Sequence, residues 1–115
     1  MIDNKFPDIY RLRNKYAIDC VFSSHKKRNA NFFALRYRKN DLLLSRLGVI
    51  IGKKNIRLSV TRNRIRRIIR EQFRTHELKY GGYDLVFVVY KQANNVSNHE
   101  LRQCISNLLS TLVTH

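Results

Sequence analysis

Between Thr61 and Arg70 the chain reads Thr-Arg-Asn-Arg-Ile-Arg-Arg-Ile-Ile-Arg, guanidinium groups interleaved with isoleucines at helical spacing. The wider stretch from Lys53 to Arg74 holds nine Lys or Arg residues against one acid, Glu71. A guanidinium presents a planar fork of donors that fits phosphate oxygens two at a time and stacks on bases. The chemistry on offer is therefore anion binding, and the apolar rhythm separates this stretch from a disordered basic tail. A folded helix with one cationic face suits a polyanion, and RNA best.

An ideal helix turns 100° per residue, so with Ile65 at zero, Leu58, Thr61, Ile68, Ile69, Gln72 and Phe73 fall within about 80°. Asn63, Arg66, Arg67, Arg70 and Arg74 fall between about 100° and 200°, with Arg62 and Arg64 at the flanks. The first set must pack on a core and the second must face outward. Asn63 is the neutral member of the arginine row, and its amide can donate and accept at once, as contact with a base edge or a 2′-hydroxyl requires. A merely solvated charged face is the bland alternative, and the density of nearly unopposed arginine argues against it. A basic amphipathic helix could also lie on an anionic membrane. Here the apolar stripe is needed for the core, so no membrane partner is expected.

Composition agrees. The 115 residues carry 23 Lys plus Arg against 8 Asp plus Glu, a net charge of +15, and such an excess calls for a polyanionic partner. Hydrophobic residues make up 43%, which fits a folded chain, and the length suits one domain over 1–115. Cys20 and Cys104 have no ligand partners at metal-binding spacing and read as buried thiols. His25, His76, His99 and His115 lack a nearby carboxylate or cysteine, and the few acids are scattered. No catalytic residue and no protein-held metal are expected. Met1-Ile2-Asp3-Asn4 does not open a signal peptide, and the apolar run Leu85–Tyr90 is far too short to cross a bilayer, so the expected setting is cytoplasmic.

The elements that must position these groups follow from pattern. Phe6-Pro7 sits in an irregular lead-in. Asn14 caps a short helix over about Lys15–Ser23, and Ser24–Asn31 is a basic loop with room for a short strand. Asn31–Arg38 alternates with period two and reads as a strand. Asn40-Asp41 reads as a turn, and Leu43–Gly52 as the hairpin partner, with Gly48 and Gly52 marking a bend or a close backbone approach. The basic helix is expected over Leu58–His76, closed by Lys79-Tyr80-Gly81-Gly82. Tyr83–Tyr90 is a nearly all-apolar strand, and Ser97-Asn98-His99-Glu100 has the capping-box pattern of a last helix. The fold class is α+β, an α-β sandwich with helices against one sheet.

These residues resemble a known family. Arg46-Leu47-Gly48-Val49-Ile50-Ile51-Gly52-Lys53-Lys54, seven residues, then Arg62-Asn63-Arg64-Ile65-Arg66-Arg67-Ile68-Ile69-Arg70-Glu71-Gln72-Phe73-Arg74 resembles the bacterial ribonuclease P protein component, with its RxGxxxxKK strand and RNxxKRxxRExFR helix. Phe6-Pro7, Arg11-Leu12, Val21-Phe22 and Tyr83–Val89 extend the likeness over nearly the whole chain. The resemblance implies the order αβββαβα with a left-handed β-α-β crossover through the basic helix, so a third strand before that helix is expected in Ser24–Arg28. It implies the accessory subunit of a ribonucleoprotein that removes the 5′ leader of precursor tRNA. Catalysis would belong to the RNA, with Mg²⁺ held mainly by RNA and substrate. By position, Arg62, Asn63, Arg64, Arg66, Arg67, Arg70 and Arg74 would contact the catalytic RNA, with Arg46, Lys53 and Lys54 nearby. A cleft between the first helix and the sheet would hold the single-stranded leader against Ile18, Phe22, Phe33 and Arg36, with core packing the competing role for both phenylalanines. Ile18 stands where the family usually has an aromatic, and Arg36 near where relatives can place one. The subunit would be monomeric in the holoenzyme. A ribosomal or other structural RNA-binding protein, or an RNA-annealing protein, is the alternative.

Overall fold

The computed structural model describes residues 10–113. The Phe6-Pro7 lead-in lies outside them. Helix α1 spans Lys15–Ser23, and its first turn is held by Asn14, whose Oδ1 accepts from the backbone amides of Tyr16 and Ala17 at 2.8 and 3.4 Å. Strand β1, Lys27–Asn29, is the short strand expected near this point, placed a few residues later than Ser24–Arg28. Strands β2, Phe33–Lys39, and β3, Arg46–Ile50, precede helix α2, Ser59–Arg74. A single 3-10 turn, Glu77–Tyr80, leads into β4, Tyr83–Val89, and the chain closes with α3, Asn98–Ser110. Ser97 Oγ accepts from the amide of Glu100 and donates to its carboxylate, so the capping residues act as their spacing suggested.

The sheet order is β1-β2-β4-β3, with β4 antiparallel to β2 and parallel to β3. The expected hairpin between Asn31–Arg38 and Leu43–Gly52 is therefore wrong. β4 (YDLVFVV) is almost entirely apolar, and a strand of that kind is most stable where neighbours cover it on both sides. It takes the centre and separates the two strands that adjoin in sequence. Asn40 closes no tight hairpin; its amide nitrogen donates to Leu44 O and to Asp84 Oδ1, latching the passing loop onto β4. Since β3 and β4 are parallel neighbours, α2 is the crossover between them.

Two layers of side chains result from the alternation of β2. Phe33 and Leu35 point into the main core with Ile65, Ile68, Ile69 and Phe73 of α2 and Leu101, Ile105 and Leu109 of α3. On the opposite face Leu12, Val21 and Val86 form a second cluster, with Ala17, Ile18, Phe22 and Val88 packed against it. Helix α1 thus covers one side of the sheet while α2 and α3 cover the other. Gly48 makes this possible. A Cβ there would stand 3.0 Å from the carbonyl oxygen of Leu12, whose amide donates to Leu47 O at 2.8 Å. Helix α2 stops two residues before His76, and Gly82, at φ 72°, belongs to the turn entering β4. Both cysteines are free and only half-buried, less sheltered than expected.

Candidate nucleic-acid interface

The angular reading of α2 holds for its core stripe, since Ile65, Ile68, Ile69 and Phe73 are all buried. It fails for Leu58, which is the N-cap and 66% exposed. The helix begins one residue later, so Leu58 never joins the stripe. Its apolar side chain also cannot cap. The preceding carbonyls are served by Arg62, whose Nη1 donates to Ile56 O at 2.8 Å and Arg57 O at 2.9 Å. Arg64 is likewise engaged, with Nη1 donating to Asn98 Oδ1 and, at 3.4 Å, to Val96 O, which ties α2 to the start of α3. These two flanking arginines brace the helix.

Their neighbours do not. Asn63, Arg67 and Arg74 are exposed and Arg66 half-exposed, and none has a hydrogen-bond or ion-pair partner among the described residues. Arg70 is drawn below the usual arginine pKa, first by partial burial and then by the positive charges of Arg11, Arg66 and Arg13. That cause places Arg11 and Arg13 in the same cationic field, although they lie in a separate segment. Arg11 pairs with Leu47 along β3, so the N-terminal segment runs beside the sheet edge and adds its charges to those of α2. Sequence reasoning missed both as site residues. The signal was Arg11-Leu12-Arg13 itself, a basic-apolar-basic alternation that buries Leu12 and turns its neighbours outward. Lys53 and Lys54 are exposed in the loop between β3 and α2.

Arg46 has a partner within the fold. Its Nε donates to Asp84 Oδ1 at 2.9 Å and its Nη2 to Asp84 Oδ2 at 2.8 Å, a two-pronged ion pair on a carboxylate that is 1% exposed. This hydrogen bonding raises the Arg46 pKa. The Nε and Nη2 edge of the guanidinium is committed to a buried carboxylate in register on the adjacent strand, while a third of the side chain stays exposed.

On the α1 side, Ile18 and Phe22 are half-buried over the sheet, and the Arg36 guanidinium stacks on the Phe22 ring at 4.8 Å from its centre. Phe33 does not belong there. It is 0% exposed and meets Phe87 edge-on at 5.8 Å in the main core. Period-two geometry decides the matter, since residues 33 and 36 of one strand face opposite sides. The α1 face of the sheet is left with one aromatic ring, one aliphatic side chain and a stacked cation.

Among the described residues no three His, Cys, Asp or Glu side chains are grouped to hold a metal ion, and no helix is long and apolar enough to cross a membrane. His76 accepts from Leu78 N through Nδ1 and lies 3.2 Å from Ser110 Oγ through Nε2. That is structural work.

The comparisons with known proteins meet this geometry. The family model for Ribonuclease P matches residues 6–113. A ribonuclease P protein component from Psychrobacter is 38% identical over 116 aligned positions, covering 99% of this chain and 88% of that protein. One from Coxiella burnetii is 32% identical, covering 90% and 85%. The RNase P protein from Thermotoga maritima superposes with a TM-score of 0.77 at 28% identity, covering 90% of this chain and 98% of that one. That of Staphylococcus aureus, at 21% identity, shares the fold with a TM-score of 0.81 over 89% and 94%. A match of this extent, on a chain with this arginine helix and parallel crossover, places it in the ribonuclease P protein component family.

Proposed function

We propose that this chain binds the catalytic RNA of ribonuclease P through α2 and the single-stranded 5′ leader of precursor tRNA through the cleft beneath α1. It is an accessory subunit of the tRNA 5′-processing endoribonuclease, and its role is to hold RNA rather than to cut it. The observation that carries this reading is the row Asn63, Arg66, Arg67 and Arg74, which has no partner among the described residues and is reinforced by Arg11 and Arg13. Such a field gains by releasing the counterions of a phosphate backbone, so affinity should fall steeply with salt. The apolar side of the same helix is locked into the core, so the arginines are presented on a rigid support and little order is lost on binding.

The cleft works differently. Phe22 and Ile18 offer flat apolar contact, and Arg36 offers charge to an adjacent phosphate, a combination suited to unpaired RNA of any sequence. Among the described residues no three carboxylate, His or Cys side chains are grouped, and Asp84 is already paired. The Mg²⁺ that activates water at the phosphodiester is assigned to the RNA and substrate, and no chemical step runs through this protein. A monomer acting in the cytoplasm suits this role. Family membership favours it over a ribosomal or other structural RNA-binding protein. Mixed with a ribonuclease P RNA at low Mg²⁺, the protein should restore leader cleavage. Cleavage remaining at the RNA-alone level would overturn the reading.

A further inference from the structure

On the α1 side of the sheet the strands place residues in transverse rows. In one row Arg38 of β2 and Arg46 of β3 both stand in register with Asp84 of β4, whose buried carboxylate is held by Arg46 and Asn40. The next row runs Gly48, Val86, Arg36, Lys27 from β3 to β1. It ends in two cations directly opposite one another, and no acid joins them. Like charges in that position destabilise a strand pair. Nor does the local sequence relieve them: between Asp19 and Asp41 there are six Lys or Arg residues and not one acid. Lys27 is exposed and lies on the edge strand, while Arg36 reaches back over Phe22.

We propose that Lys27 and Arg36 together take a phosphate of single-stranded RNA leaving the α1 cleft, so that the leader track continues across β2 to the β1 edge. This rests on the function proposed above and adds to it a second anchor, on the edge of the sheet away from β3 and the Arg11 segment beside it. A base against Phe22 sets the following phosphate beside Arg36, and the neighbouring strand supplies the second cation. The missing countercharge in the protein is then supplied by the substrate. The neighbouring row carries a countercharge of its own in Asp84, which pairs with Arg46.

The test uses the holoenzyme rebuilt from the full chain and a ribonuclease P RNA, with precursor tRNAs whose leaders are about two and about ten nucleotides long. K27A should weaken the long-leader substrate on the order of fivefold, the effect of losing one charge-assisted contact. It should also flatten that substrate's salt dependence by about 0.7 in log-log slope, the single-strand value per phosphate. K27R should retain binding. The loss should be confined to the long leader. Equal losses on both leaders, a loss in affinity for the RNA subunit instead, or unchanged binding with a raised Tm from relieved repulsion would each overturn the proposal. If the wild-type protein fails to restore cleavage, the proposed function falls and this track with it. If wild type works and K27A matches it, only the track falls.

Discussion

Arg46 and Asp84 face each other in register across β3 and β4, joined by two hydrogen bonds of 2.9 and 2.8 Å, with Asn40 adding a third at 2.9 Å. A residue that the family resemblance sets near the RNA is thus also an internal fastening for the two parallel strands. Arg46→Ala leaves a buried carboxylate with only Asn40, and a broken buried pair costs about 3–5 kcal/mol. Solvent reaches one third of the Arg46 side chain, so about 2 kcal/mol is the expected loss. Denaturant unfolding should show it, while RNA affinity measured where the variant is still folded should barely move.

The arginines of α2 should divide by what they touch. Arg66→Ala with Arg67→Ala and Arg70→Ala should weaken RNA binding and flatten its salt dependence by up to about 0.9 log units per lost phosphate contact on the duplex scale. An unchanged slope in filter binding would reduce the face to solvated charge. Asn63→Ala should cost on the order of 1 kcal/mol of RNA affinity with helicity intact.

Arg62→Ala and Arg64→Ala should behave in the opposite way. The first exposes the carbonyls of Ile56 and Arg57, and the second unties α2 from Asn98. Each should lower stability by about 1 kcal/mol in thermal unfolding. A large change in salt slope with unchanged Tm would show that both grip RNA instead.

The two phenylalanines separate core from cleft. Phe33→Ala removes a fully buried ring and should cost about 3–5 kcal/mol. Phe22→Ala, on a half-buried ring under Arg36, should cost less stability and instead weaken precursors that carry a leader relative to mature tRNA. Identical substrate effects for the two variants would refute that assignment.

His76 gives the protein a pH-dependent term. Burial draws its pKa below the ordinary 6.5, against a smaller opposing pull from Glu77, and Nδ1 must stay unprotonated to accept from Leu78. In the window below 6.5 the unfolded chain binds the proton more readily, so stability rises with pH there. Its contribution is complete above that value and is lost as pH falls through the folded pKa. His76→Gln should flatten Tm against pH in this window; an unaltered profile would remove His76 as the cause.

Local elements were legible because their signals are local. Asn14, Ser97 and the isoleucine spacing of α2 each declare themselves within a few residues. The partner of β3 was not legible, because alternation reports which face a strand buries and says nothing about which strand lies beside it. The ion pair of Arg46 was hidden for the same reason, whereas the core position of Phe33 follows from the alternation itself, three residues from Arg36. A salt bridge spanning 38 residues is a property of register. Arg11 and Arg13 escaped notice because their membership of the arginine face depends on where the N-terminal segment lies in space.

The central position of β4 has a consequence for how the molecule is made. It leaves the ribosome after β1, β2, β3 and α2, so the sheet lacks its middle until most of the chain exists. Until then the strand nearest to β3 in sequence is β2, and a hairpin of the two, absent from the finished fold, is the pairing that chain connectivity offers β3. Native closure waits on contacts distant in sequence, the slow kind. Throughout that interval the stripe of Ile65, Ile68, Ile69 and Phe73 has no sheet centre to rest on, while the arginines on the other side of α2 are already complete.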